Sequence, residues 1–136
     1  MRFKYKDFGA GIIRPIIPAK LRYKDQRFKT TMLVDSGSDF NICNIEIAEL
    51  LGIDVKQGLP GKFQGITGET EPLWTHEVVL VVGGHEMVVP MNFAEKAGWW
   101  GYQVLGQKGF FDYFNVKFNW WKAAVDLTPA KVEVKR

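Results

Sequence analysis

The chain is poor in the residues that staple or metallate small proteins. Of 136 residues, one is a cysteine, Cys43, and two are histidines, His76 and His85. One thiol excludes an internal disulfide framework and fits a reducing compartment, so a cytoplasmic location is expected. Neither histidine forms an H-E-x-x-H pattern and a lone cysteine cannot build a zinc cage, so no metal and no cofactor are expected. Cys43, next to Asn41-Ile42, reads as a small buried residue rather than a nucleophile. Long hydrophobic runs are also missing. The longest, Val78 to Val82, has five residues, against the ~20 that a membrane span needs. Met1–Lys6 lacks a leader-like apolar stretch, and no membrane partner is expected.

Nor does either sign of charge dominate. The net charge is +3 and 46% of residues are apolar, which excludes an intrinsically disordered chain. The charge is unevenly placed. Residues 1–31 hold nine Lys/Arg against two acids, or +7, and the remainder is −4. Such a basic segment reads as a solvated face; a nucleic-acid partner is the less favoured alternative. The length suits one domain and is short for a two-lobed enzyme.

What the chain does have is a succession of short strands. Arg14-Pro15-Ile16-Ile17-Pro18 must be extended, since two prolines forbid a helix. Strands are predicted over Ala19–Tyr23 and Phe28–Val34, with Lys24–Arg27 turning between them. Others are predicted over Trp74–Val82 and His85–Phe93 around Gly83-Gly84, and at Val104-Leu105. Val116–Trp121 and Ala124–Leu127 read as a last hairpin, and Val132–Val134 as a terminal strand. One helix is predicted, Ile45–Leu51, capped by Asn44 and stopped by Gly52, with Ile47, Leu50 and Leu51 toward the core. Gly109–Phe114 reads as a single helical turn. Residues 1–13 are predicted to be an irregular lead-in, and 14–136 a single all-β domain. Ten aromatic residues between Trp99 and Trp121, with only two lysines among them, suit a core and an oligomer interface better than base stacking. Trp74, Met87 and Met91 are candidates for lining a groove.

One string carries chemistry. Thr31-Met32-Leu33-Val34-Asp35-Ser36-Gly37-Ser38 delivers an acid from an apolar strand into a tight turn. Asp, Ser and Gly alone are ordinary turn residues. Two later pieces of the chain, in this order, give them weight: Gly65-Ile66-Thr67-Gly68 at a hairpin tip, then Val104-Leu105-Gly106. Together the pieces resemble the retropepsins, the retroviral-type aspartic proteases, and their cellular and bacterial relatives, over residues 14–128. The resemblance implies a small closed β-barrel with one or two short helices, and hydrolysis of peptide bonds in a peptide or protein substrate. That chemistry needs two carboxylates a few Å apart sharing one proton, because two like charges so close cannot both ionise cheaply.

The chain has one Asp-Ser-Gly and no second copy, so the resemblance implies a homodimer with one Asp35 from each protomer. It also implies roles. Asp35 would carry the catalysis, Ser36 would bond across the dimer axis, and Gly37 would donate its N–H to the carboxylate. Ser38, where Ala is commoner, would donate its hydroxyl there too. Asp39 would bind the substrate main chain, and Ile66, Thr67 and Gly68 would close over it as a flap tip. Gln107 stands where viral members usually carry Arg. A catalytically inactive peptide- or partner-binding module of the same fold, and a basic nucleic-acid-binding β-barrel, are the competing readings.

Overall fold

The computed structural model describes residues 1–64, 68–96 and 102–130. Strands β1 (Arg2–Lys4), β2 (Lys6–Asp7), β3 (Ile13–Arg14), β4 (Ile16–Tyr23), β5 (Gln26–Val34) and β6 (Ile42–Asn44) precede helix α1 (Ile45–Leu50). A 3-10 turn at Val55–Gln57 leads to β7 (Leu59–Gln64), β8 (Thr70–Val82), β9 (His85–Ala94), β10 (Gln103–Leu105), β11 (Phe114–Asn119) and β12 (Ala124–Pro129). The all-β expectation holds, with the one short helix and the 3-10 turn as exceptions.

Seven strands form the main sheet in the order β4-β5-β10-β6-β9-β8-β7. An additional β4–β8 pairing closes all but the edge strand β7 into a ring. Alternation explains which way each strand faces. In β4, Ile17, Ala19 and Leu21 are buried while Pro18 and the stems of Lys20 and Arg22 point outward; in β5, Met32 and Val34 are buried. The two strands join through Lys24-Asp25 alone, a shorter turn than predicted, with Lys24 at φ +51°. The predicted Gly83-Gly84 turn is present, both residues at positive φ. Inside the ring Met91, Phe93, Leu105 and Phe110 are fully buried. At about 1.5–3 kcal/mol per fully buried large apolar side chain, such residues are what hold the ring together. Met91 and Met87 belong to this core and do not line a groove.

The order of three strands sets up the site. After β5 the chain turns and returns as β6, but the two do not pair. β10, some sixty residues later, lies between them, parallel to β5 (Val104 opposite Leu33) and antiparallel to β6 (Val104 opposite Ile42). The helix begins where Asn44 accepts the Glu46 N–H at 3.0 Å. Ile47, Ala48 and Leu51 are buried, but Leu50 is 61% exposed, against expectation. At ~100° per residue it falls about 100° from the centre of the buried face.

The first residues are not irregular. β1 pairs antiparallel with β12, which pairs with β11, forming a three-stranded sheet. The Met1 amino group donates to the Leu127 carbonyl at 2.7 Å, and the Arg2 guanidinium meets the Asp126 carboxylate at 2.7 Å. β2 and β3 form a small hairpin of their own through a turn in which Gly9, Ala10 and Gly11 all have positive φ. The predicted terminal strand at Val132–Val134 lies outside the described residues.

Two exposed ion pairs give the fold a pH dependence. The hydrogen bond from Arg2 holds the Asp126 carboxyl below its ordinary range, and that from Arg22 does the same for Glu86. A carboxyl depressed in the folded state stabilises at pH above its unfolded value, and the contribution is lost as pH falls through the folded value. Thermal melts taken at successively lower pH are therefore expected to show a smaller acid-induced loss for Asp126→Asn than for the native chain. Parallel curves for the two proteins would remove this pair as a cause.

Candidate active site

Asp35 is the first residue after β5, half-buried at the strand's end, and its N–H donates to the Leu105 carbonyl of β10 at 3.0 Å. The chain then turns sharply. Gly37 N–H donates to Asp35 Oδ1 at 2.9 Å and Ser38 N–H to the Asp35 carbonyl at 3.2 Å, so the turn wraps its own acid. A Cβ on Gly37 would come within 3.2 Å of that same carboxylate oxygen, which leaves little room for a side chain there. Ser38 behaves differently from expectation. Its hydroxyl donates to the Phe40 carbonyl at 2.8 Å and stabilises the turn's exit, not the carboxylate. Asp39 is exposed beside it.

The second half of the chain braces this turn from below. Gln107 Nε2 donates to the Ser36 carbonyl at 2.7 Å, Gln107 N–H to the Ser38 carbonyl at 2.8 Å, and Lys108 N–H to the Asp39 carbonyl at 3.0 Å. One short segment thus holds three carbonyls of the turn. Gly106, just before, runs tight against it. A Cβ there would overlap the Phe40 carbonyl and stand 2.7 Å from the Ser38 carbonyl oxygen. Gly106→Ala is accordingly expected to destabilise the fold by about 2–4 kcal/mol, measured by urea denaturation. A change under about 0.5 kcal/mol would mean that the turn gives way freely.

Beneath the turn runs a buried polar ladder whose members look unremarkable in sequence. Asn41 is fully buried; its Oδ1 accepts Gly106 N–H at 2.9 Å, and its carbonyl accepts both the backbone N–H and the side-chain Nδ2 of Asn92, at 3.1 and 3.0 Å. Asn92 Oδ1 in turn accepts the Thr75 hydroxyl. This ladder ties β6, β8, β9 and the end of β10 together directly behind Asp35. Its one advance signal is an asparagine set against the apolar pair Ile42-Cys43. Cys43 is fully buried, and burial pushes its thiol up to about 12, so it stays protonated and unreactive at neutral pH.

An open depression of about 380 Å³ lies over the turn, lined by Arg14, Pro15, Leu33, Val34 and Asp35. Its walls are largely apolar and its one acid is Asp35. The turn thus gathers Asp35, Ser36, Gly37 and Asp39. Gly68 belongs to a separate hairpin, the β7–β8 arm, where its carbonyl accepts Gln64 Nε2 at 3.3 Å and its φ is +83°. Ile66 and Thr67 lie outside the described residues. Among the described residues no group of three or more His, Cys, Asp or Glu could hold a metal ion. Nor is any helix there long and apolar enough to cross a membrane.

No protein-family model matches the chain, and no curated protein matches it. Solved structures do. A retropepsin-like aspartic protease from Rickettsia conorii is similar over 92% of this chain and 95% of its own, with a TM-score of 0.66 at 16% identity. EIAV protease in complex with the inhibitor HBY-793 is similar over 75% of this chain and 88% of its own, with a TM-score of 0.54 at 16% identity. At that identity the likeness speaks for the path of the backbone. The interposed β10, the Asp35 turn and the β7–β8 arm are parts of a retropepsin-like fold.

Proposed function

We propose that the chain is one protomer of an aspartic endopeptidase, in which Asp35 from each of two copies forms the catalytic pair across a two-fold axis. The observation that carries this is Asp35 itself. A half-buried carboxylate, with one oxygen held by Gly37 N–H, ends a strand at the mouth of an open depression. Two of the similar solved structures are those of a retropepsin-like aspartic protease and of EIAV protease in complex with an inhibitor. The Ser36 hydroxyl has no hydrogen-bond partner among the described residues and is exposed, so it is available to a second copy. Where the viral pattern has Arg, Gln107 reaches the Ser36 carbonyl within its own chain.

In such a pair one carboxyl is protonated and the other ionised. The ionised one takes a proton from a water molecule as its oxygen attacks the scissile carbonyl carbon. The protonated one gives its proton to the carbonyl oxygen, so a neutral gem-diol forms. Collapse of the diol breaks the C–N bond: one diol hydroxyl returns its proton to the carboxylate that had donated, and the proton taken from water passes to the departing nitrogen. Asp39 and the flap residues Ile66, Thr67 and Gly68 bind the substrate main chain and exclude water while this happens.

The test is cleavage of an unfolded protein such as reduced casein over a range of chain concentrations, from about pH 3 to about pH 7. Fragments that cease to form with pepstatin, and a rate per chain that falls on dilution, support a shared site. A purified dimer that cuts nothing over that range but retains peptides would make the protein a binding module.

A further inference from the structure

The turn between β11 and β12 holds two tryptophans away from the rest of the protein. Trp121 is 93% exposed, Trp120 57%, and Phe118 just before them 41%. The turn is tied in place. Lys122 N–H donates to Asn119 Oδ1 at 3.1 Å, Ala123 N–H to the Trp120 carbonyl at 2.9 Å, and Tyr5 N–H to the Ala123 carbonyl at 2.7 Å. An isolated exposed apolar side chain needs no explanation, but two adjacent indoles on a protruding, hydrogen-bonded tip call for a partner. The surroundings are basic. Lys122 sits in the turn, Lys4 is paired with Ala124 at its base, and Lys117 precedes it on β11; all three are exposed. Asp126, the one acid in these three strands, is already engaged by Arg2.

We propose that this tip docks the protein on an anionic phospholipid bilayer, with Trp120 and Trp121 at the headgroup boundary and Lys4, Lys117 and Lys122 against lipid phosphates. Indole rings favour that boundary because one edge is apolar and the N–H can still be hydrogen-bonded. Lysines beside them add attraction to a negative leaflet. A two-fold contact of the tip with a second copy of itself would set this lysine collar against its own image. A single-stranded nucleic acid needs a groove to track its backbone, and the tip is a protrusion. A peripheral contact of this kind requires no spanning segment, so the lack of long apolar runs does not oppose it.

The test is co-sedimentation with vesicles of phosphatidylcholine alone and of phosphatidylcholine with about 30% phosphatidylserine, at low salt and at about 0.5 M salt. The native chain is expected to partition at least about tenfold more strongly to the anionic vesicles, with the gain lost at high salt. A Trp120→Ser/Trp121→Ser variant, altered only at exposed positions, is expected to lose about tenfold or more while keeping its melting temperature. No binding to anionic vesicles, or equal binding by the variant, overturns the proposal. So does a fall in the variant's size by light scattering, which would give the tip to a second copy. Retention of a single-stranded oligonucleotide by the native chain alone, with vesicles ignored, would give it to nucleic acid.

Discussion

Asp35→Asn is expected to cut kcat for peptide hydrolysis by about 10³-fold or more, because one substitution removes both the acid and the base from a pair built of two identical residues. The change is nearly isosteric. Asn Oδ1 can still accept the Gly37 N–H, and the Asp35 N–H bond to the Leu105 carbonyl is untouched. The variant should therefore fold, dimerise and bind peptide, and the loss should appear in kcat with KM little changed. Mixing supplies a sharper measurement. If equal amounts of native and variant chains exchange freely, about a quarter of the dimers carry two native residues. Activity per native chain should drop to about half, and a half-native dimer should contribute nothing measurable. Full activity per native chain after exchange would mean that each chain works alone, and would end the shared-site account.

Asn41→Leu is the second large effect, on stability rather than turnover. Leucine keeps the branched shape, though it is bulkier, and accepts nothing, so Gly106 N–H loses its partner in a place that water does not reach. A buried donor left unpaired costs about 1–3 kcal/mol, and the weak Asn41 Nδ2 bond to the Pro90 carbonyl goes with it. A total of about 3–4 kcal/mol is expected from the shift of the urea midpoint at unchanged slope. Because Gly106 leads directly into Gln107, which holds Ser36, residual activity at temperatures well below the melt should fall as well. A variant as stable as the native chain would show the ladder to be replaceable by packing.

How much of this is legible in the sequence depends on the range of each interaction. The β4–β5 hairpin can be read because its alternation and its turn lie within twenty residues of each other. The same is true of the Asn44 cap and of the β8–β9 hairpin. The Asp35 turn can be read because its short motif is followed, in order, by Gly65-Ile66-Thr67-Gly68 and Val104-Leu105-Gly106. The partner of β1 cannot, since Arg2 and Asp126 are 124 residues apart and neither segment announces the other. Resemblance assigns Ser38 to the carboxylate, whereas the geometry of the turn brings its hydroxyl to a carbonyl, that of Phe40. Asn92 and Thr75 give no warning, and Asn41 only the faint one of standing beside an apolar pair, because each alone is an ordinary polar residue in or beside a strand; only the fold makes them one ladder.

The placement of β10 between β5 and β6 also says something about time. Gln107 and the Ser36 carbonyl it holds are 71 residues apart, and Leu105 stands nearly as far from the Asp35 N–H it accepts. Every early strand can be made while the slot for β10 is still empty. Closing a loop of that length before the parallel pairing rewards it is slow, so the step should lie late in folding. A chain emerging from the ribosome would therefore carry its acid long before that acid had a floor beneath it. If the protein cuts peptides, that capacity arrives late, and its half-made forms cannot yet cut their neighbours.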